Sequence, residues 1–232
     1  MNTTTPDRVA WERARLALLE KEKAHVRATA DLAAERRKLP RLRIDTDYRF
    51  DTPQGQRSLG DLFGERSQLI VQHFMLAPGA SAGCPLCSFW ADGFSAMLPH
   101  LAARDISFAA VSRASVAEIE HYRQRMGWTF PWVSSGNTSF NADFGVSPTE
   151  AQKAAGQWRY NYAERPYRMD DLPGASVFQR DDDGAIYLTY ATFERGLDPL
   201  NAAYAYIDLT PKGRDEASLP WPMAWVKRHD EY

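Results

Sequence analysis

Gly83-Cys84-Pro85-Leu86-Cys87-Ser88-Phe89-Trp90-Ala91-Asp92-Gly93-Phe94 contains the only two cysteines of a 232-residue chain. An apolar run at residues 69–75 precedes it, and residues 88–103 read as a helix. A strand, a short loop and Cys-x-x-Cys at a helix start is the arrangement of a redox dithiol. Two thiols so spaced on a first helical turn can close a disulfide with little backbone movement. The free N–H groups and partial positive charge of a helix N-terminus favour the thiolate of the first cysteine. Pro85 suits that first turn, because its missing N–H has no intrahelical partner to lose. The expected roles are Cys84 as nucleophile and Cys87 as resolving thiol.

Composition narrows the class of protein. A net charge of −2 and an apolar fraction of 44 % predict a soluble globular chain with a sizeable core. No basic excess or Lys/Arg–aromatic interleaving points to nucleic acid. There is no apolar leader at the start and no span of 18 or more apolar residues, so neither a signal peptide nor a membrane partner is expected. Two cysteines so close together exclude a secreted disulfide scaffold, and the expected compartment is the cytoplasm, where the pair mostly rests reduced. No cofactor is called for.

Working outward, residues 7–38 are charged and free of glycine and internal proline. Trp11, Leu18, His25, Leu32 and Leu39 recur every seven residues, a narrow stripe on a solvated helix. Residues 1–42 are therefore read as an N-terminal helical arm, which packs on its own domain or pairs with a second copy as a homodimer. Pro40 ends it. Residues 43–232 form the main domain. It opens with a hairpin around Pro53-Gln54-Gly55 and a helical turn at 58–64. The strand at 69–75 comes next, then the cysteine-bearing helix, a strand at 106–112 and a helix at 115–126 whose Ser115 and Glu118 form a capping box. Phe130-Pro131-Trp132-Val133 is a third strand, which its proline confines to an edge or a strand start. Residues 134–173 read as an insertion with one short helix near 149–156. Asp181-Asp182-Asp183-Gly184 turns a hairpin between strands at 174–180 and 185–190, and a helix is expected at 197–202. The aromatic tail, from Trp221 to Tyr232, should dock on the domain. Alternating strands and helices followed by an antiparallel hairpin predict an α/β fold with a mixed sheet flanked by helices.

Several blocks resemble an uncharacterised bacterial family of thioredoxin-like proteins. They include the dodecapeptide quoted above, Gln68-Leu69-Ile70-Val71-Gln72-His73-Phe74-Met75, Arg125-Met126-Gly127-Trp128-Thr129-Phe130-Pro131-Trp132 and the closing His229-Asp230-Glu231-Tyr232. The resemblance runs from about residue 9 to the end and implies a thioredoxin-like fold. More distantly, the hairpin and first strand are similar to the start of peroxiredoxin-like proteins and membrane-anchored thiol-disulfide oxidoreductases. The wider superfamily carries a cis-proline directly before the strand that faces the dithiol. Here the expected position holds Ala175 or Ser176, and Pro173 comes two residues early. Ala175 and Ser176 are therefore expected to shape the site.

Several other residues have two readings. The cysteines are either a redox pair acting on a disulfide- or peroxide-containing substrate or two buried small hydrophobes. Arg113, at the end of the second strand, either supports the Cys84 thiolate or forms an ordinary salt bridge. Trp90 either shields the site or packs in the core. Asp92 either accepts the Cys87 proton or faces solvent. His73 is either a buried histidine or a third ligand beside two thiolates, which alone make half a zinc site. The leading expectation is a thiol-disulfide oxidoreductase. The alternatives are a non-catalytic binding module of the same fold and, more weakly, a metal-binding protein.

Overall fold

The computed structural model describes residues 7–232. The leader reading falls on residues 1–6, which lie outside the described residues. The chain divides into two compact units, residues 1–40 and residues 41–232.

The first unit is helix α1 (Arg8–Arg36). The Asp7 carboxylate accepts from the Ala10 N–H at 2.8 Å and so caps it. Ion pairs Arg8–Glu12 and Lys23–Glu20 run along its surface at one-turn spacing. No residue of α1 is buried, and Trp11, Leu18 and Leu32 of the stripe are exposed.

In the second unit the strands are β1 (Leu42–Arg43), β2 (Arg49–Thr52), β3 (Gly55–Ser58) and β4 (Gln68–His73). Helices α2 (Pro85–Ala91) and α3 (Phe94–Ala102) follow, then β5 (Ile106–Ser112), α4 (Val116–Arg125) and β6 (Trp132–Ser134). The insertion holds α5 (Phe140–Asp143), α6 (Glu150–Ala155) and the hairpin β7 (Gln157–Tyr160) and β8 (Ala163–Pro166). The chain closes with β9 (Gly174–Arg180), β10 (Ile186–Phe193) and α7 (Ala202–Ile207).

The central sheet has the order β1-β10-β9-β4-β5-β6-β2-β3. Strands β4, β5 and β6 are parallel, while β9 runs antiparallel to β4 and β10 antiparallel to β9. This is the mixed sheet of a thioredoxin-like fold, extended by β6 and the β2–β3 hairpin. Because β4 lies between two strands and under helices, its centre, Leu69-Ile70-Val71, is apolar on both faces. Its residues alternate in side. Leu69 and Val71 pack with Phe50, Phe63 and Phe178, and Ile70 and Phe74 pack with the cysteine helices, Tyr122 and Trp132.

The structure corrects several local readings. The helix expected over 88–103 is two helices, because Gly93, a poor helix residue, lies at the break. The helix expected at 197–202 is instead a 3-10 turn, Glu194–Leu200. It contains Pro199, and α7 starts only after Asn201, whose side chain accepts from the Tyr204 N–H. Strand β6 begins at Trp132, just past Pro131, so of the two alternatives the strand-start one holds, and β6 lies inside the sheet. The insertion carries a hairpin absent from the sequence reading, because its turn is Asn161-Tyr162. Both residues have positive φ (52° and 62°), without the glycine that usually marks such a turn. Strand β9 begins at Gly174, so Pro173 stands directly before it. Among the described residues there is no cis peptide bond.

Candidate active site

Cys84 is the N-cap of α2, with Pro85 at its first position. The preceding loop is held tightly. Glu118 accepts from the Gly79 N–H at 2.7 Å, and the Cys84 N–H donates to the Met75 carbonyl at 3.0 Å. Gly83 packs so closely that a Cβ there would lie 2.5 Å from the Phe74 ring and 2.7 Å from that of Tyr122. The Tyr122 and Ser88 hydroxyls bond at 2.8 Å beneath it.

Both cysteines are free thiols, Cys84 half-buried and Cys87 buried. Their electrostatics are opposed. Cys84 is pulled down to about 6, first by the Cys87 thiol. The N–H groups of Cys87 and Leu86 and the charge of Arg228 add to this, while burial opposes it. Cys87 is pushed well up by its hydrogen bond to Cys84, by burial and by the Cys84 charge. The pair therefore holds one proton on the inner sulfur and a thiolate on the outer one.

The supporting cation comes from the far end of the chain. Arg228 donates from Nε and one terminal nitrogen to the Gly83 carbonyl, at 3.0 and 2.6 Å, and from the other to Glu231 at 2.8 Å. The tail docks around it, with Met223 and Val226 buried, His229 on Asp92 at 2.6 Å, and Arg125 forked onto Asp230.

A cavity of about 310 Å³ opens over both sulfurs. Met75, Trp90, Leu172, Pro173, Leu197 and Met223 form apolar walls, and Gln72 lies among them. Tyr160 of the insertion hairpin ties two wall segments together. Its hydroxyl donates to the Pro173 carbonyl at 2.6 Å and accepts from the Glu194 N–H at 3.2 Å. A larger hollow of about 650 Å³, lined by residues such as Leu98, Phe108 and Arg123, contains neither cysteine.

The residues singled out in the sequence separate into two groups. Cys84, Pro85 and Cys87 gather at the start of α2, and Trp90, near its end, lines the same cavity and donates from its indole to the Leu197 carbonyl at 2.9 Å. Ala175 pairs with Gln72 across β9 and β4, beneath that region. Ser176 lies on the opposite side of the sheet, bonded to His73 Nε2 at 2.8 Å. His73 is thus turned away from the cysteines, and among the described residues no group of three His, Cys, Asp or Glu is placed to hold a metal ion. Arg113 forks onto Asp171 at 2.7 and 3.0 Å, and Asp171 also accepts from the Ser147 hydroxyl at 2.6 Å. Arg113 therefore anchors the loop that leads to Leu172 and Pro173. Asp92 is exposed, accepts from the Trp128 indole at 2.9 Å and bonds His229 at 2.6 Å, the solvent-facing alternative of the two readings. Gln72, Tyr160 and Arg228 escaped sequence reasoning. A strand glutamine, an insertion tyrosine and an arginine 144 positions from Cys84 carry no local signal.

The chain matches, over residues 1–232, the family described as "Bacterial protein of unknown function (DUF899)", and it belongs to that family. No curated protein is detectably similar to it in sequence. Among solved structures it is similar to Xanthomonas campestris peroxiredoxin Q, at 16 % identity and a TM-score of 0.47, covering 73 % of this chain and 96 % of that one. It is also similar to peroxidoxin BcpB from Mycobacterium tuberculosis, at 15 % identity and a TM-score of 0.46, covering 71 % and 93 %. Likenesses this distant transfer no activity. No helix among the described residues is long and apolar enough to cross a membrane.

Proposed function

We propose that this protein is a thiol-based oxidoreductase in which Cys84 attacks an electrophilic disulfide or peroxide bond and Cys87 resolves the product. The observation that carries the reading is the split pair, an outer thiolate and an inner thiol beneath a cavity. With a disulfide, the Cys84 thiolate forms a mixed disulfide and expels one substrate thiolate. Cys87, deprotonated, then attacks the Cys84 sulfur and expels the second. With a peroxide, the Cys84 thiolate takes the terminal oxygen as the O–O bond breaks. The other oxygen leaves as alkoxide or hydroxide and is protonated by solvent, and the Cys84 sulfenic acid condenses with the Cys87 thiol to release water. Both routes oxidise the pair by two electrons and leave a Cys84–Cys87 disulfide, which a separate dithiol must reduce. In a reducing compartment such as the cytoplasm the pair rests as thiols.

Intact mass after exposure to a slight excess of 4,4′-dithiodipyridine tests the roles. Wild type should end as the internal disulfide, Cys87→Ser should accumulate a thiopyridine adduct on Cys84, and Cys84→Ser should react slowly. Equal adduct formation by both variants overturns the assignment. The exposed stripe of α1 is the surface we assign to pairing with a second copy of this chain. A Leu18→Glu/Leu32→Glu variant with the same sedimentation-derived mass as wild type would remove that assignment.

A further inference from the structure

Strand β4 places one polar side chain in the cavity over the dithiol. Gln72 is 6 % exposed and lines that cavity, with no side-chain hydrogen bond to another described residue. Its neighbours across the sheet are Ala110 on β5 and Ala175 on β9, whose small side chains leave the space above it open. The amide is open to the cavity and not sealed in the core, so its donors and its acceptor are available to a molecule that enters. The charged residues of the same wall are held in ion pairs. Glu194 is paired with Arg165 and hydrogen-bonded by Asn161, and Asp198 is paired through Oδ2 with Arg195 and Arg214, its buried Oδ1 having no partner among the described residues. The remaining walls are aliphatic, aromatic and thioether, and the volume is at the small end for a ligand site.

Resting on the oxidoreductase reading, we propose that the substrate is an uncharged organic hydroperoxide whose apolar body fills the cavity and whose –OOH group is held by the Gln72 amide. A carboxamide offers donors on nitrogen and an acceptor on oxygen. A hydroperoxide matches both, with one O–H to donate and two oxygens to accept, whereas a disulfide offers no donor and only weak sulfur acceptors. The mostly apolar walls, with both carboxylates held in ion pairs, suit an uncharged ligand. In the reaction the Cys84 thiolate takes the terminal oxygen and the O–O bond breaks. The alkoxide departs hydrogen-bonded to the Gln72 N–H and is protonated by solvent to the alcohol. The resulting Cys84 sulfenic acid then condenses with the Cys87 thiol, releasing water. Sulfur is oxidised by two electrons and the peroxide is reduced by two.

The test is a single-turnover measurement on the full reduced chain, following loss of free thiol with cumene hydroperoxide, hydrogen peroxide or 4,4′-dithiodipyridine. The expected result is a saturable reaction with cumene hydroperoxide, at least about tenfold faster than with hydrogen peroxide, and slowed competitively by cumyl alcohol. In Gln72→Leu, the cumene hydroperoxide rate divided by the iodoacetamide rate of the same protein should fall about tenfold, as the loss of a paired hydrogen bond implies. The alcohol competition uses wild type alone, so it decides the matter even if that variant does not fold. Hydrogen peroxide reacting as fast as cumene hydroperoxide, or no competition by the alcohol, overturns the hydroperoxide assignment. If dithiodipyridine alone oxidises the pair, this inference fails and the oxidoreductase reading stands; if no reagent does, both fail.

Discussion

Replacing Cys87 by alanine or by serine separates the hydrogen bond that Cys87 gives Cys84 from everything else at the site. With Cys84 titrating at about 6, roughly nine tenths of it is thiolate at pH 7. An ordinary cysteine of pKa near 8.5 is only about 3 % thiolate there. The Cys87 thiol is the largest cause of the depression, so Cys87→Ala should move the titration of Cys84 upward, while the N–H groups of α2 and Arg228 retain part of the effect. A complete return to 8.5 would lower the thiolate fraction about thirtyfold. Each remaining thiolate would be about tenfold more nucleophilic, given a Brønsted coefficient of 0.4–0.5. The alkylation rate at pH 7 therefore falls only a few-fold, and the informative quantity is the inflection of the rate with pH. Cys87→Ser retains an O–H donor and should keep that inflection near the wild-type position. The assay is iodoacetamide alkylation of reduced protein between pH 4 and pH 10, with Cys84 followed by mass spectrometry. Superimposable profiles for wild type and Cys87→Ala would refute the argument. Equal shifts in the alanine and serine variants would assign the effect to packing instead.

Arg228→Met keeps the aliphatic stem but removes the fork on the Gly83 carbonyl. It should raise the Cys84 inflection and, at about 1.5–3 kcal/mol for charge-assisted hydrogen bonds, lower Tm by roughly 3–12 °C. Arg228→Lys should restore the inflection more than the Tm, and scanning calorimetry paired with the alkylation profile distinguishes the two. His73 is pushed down to about 3 by burial. Its native form stays neutral while the unfolded chain binds a proton below about 6.5, so its contribution is present above that pH and is lost as pH falls towards 3. The loss is about 3 kcal/mol at pH 4, and urea unfolding of His73→Phe should show a correspondingly smaller decline between pH 7 and pH 4. Tyr160→Phe leaves the Pro173 carbonyl and the Glu194 N–H without their shared partner. It should lower stability by about 1–3 kcal/mol in urea and slow single-turnover oxidation without moving the Cys84 inflection; an unchanged rate would show that the hairpin does not shape the cavity.

The dithiol, the helix start beneath it and the strand–helix alternation that makes a mixed sheet were legible in the chain alone, because each depends on residues close in sequence. Cys84, Pro85 and Cys87 share one helical turn, residues 69–75 and 106–112 are short apolar runs between polar breaks, and Ser115 with Glu118 marks a helix start. The contacts that set the chemistry of the site depend on long-range packing and left no local trace. Arg228 reaches the cysteines only because Met223 and Val226 bury the tail against α2 and α7. Arg113 is diverted from the thiolate to Asp171 by a loop 58 residues away. Ser176, one residue from Ala175, is removed from the site by strand alternation, since successive side chains point to opposite faces. The same alternation turns His73 away from the dithiol and Gln72 towards it, and only the pairing of β4 with β5 and β9 decides which of the two meets the cavity.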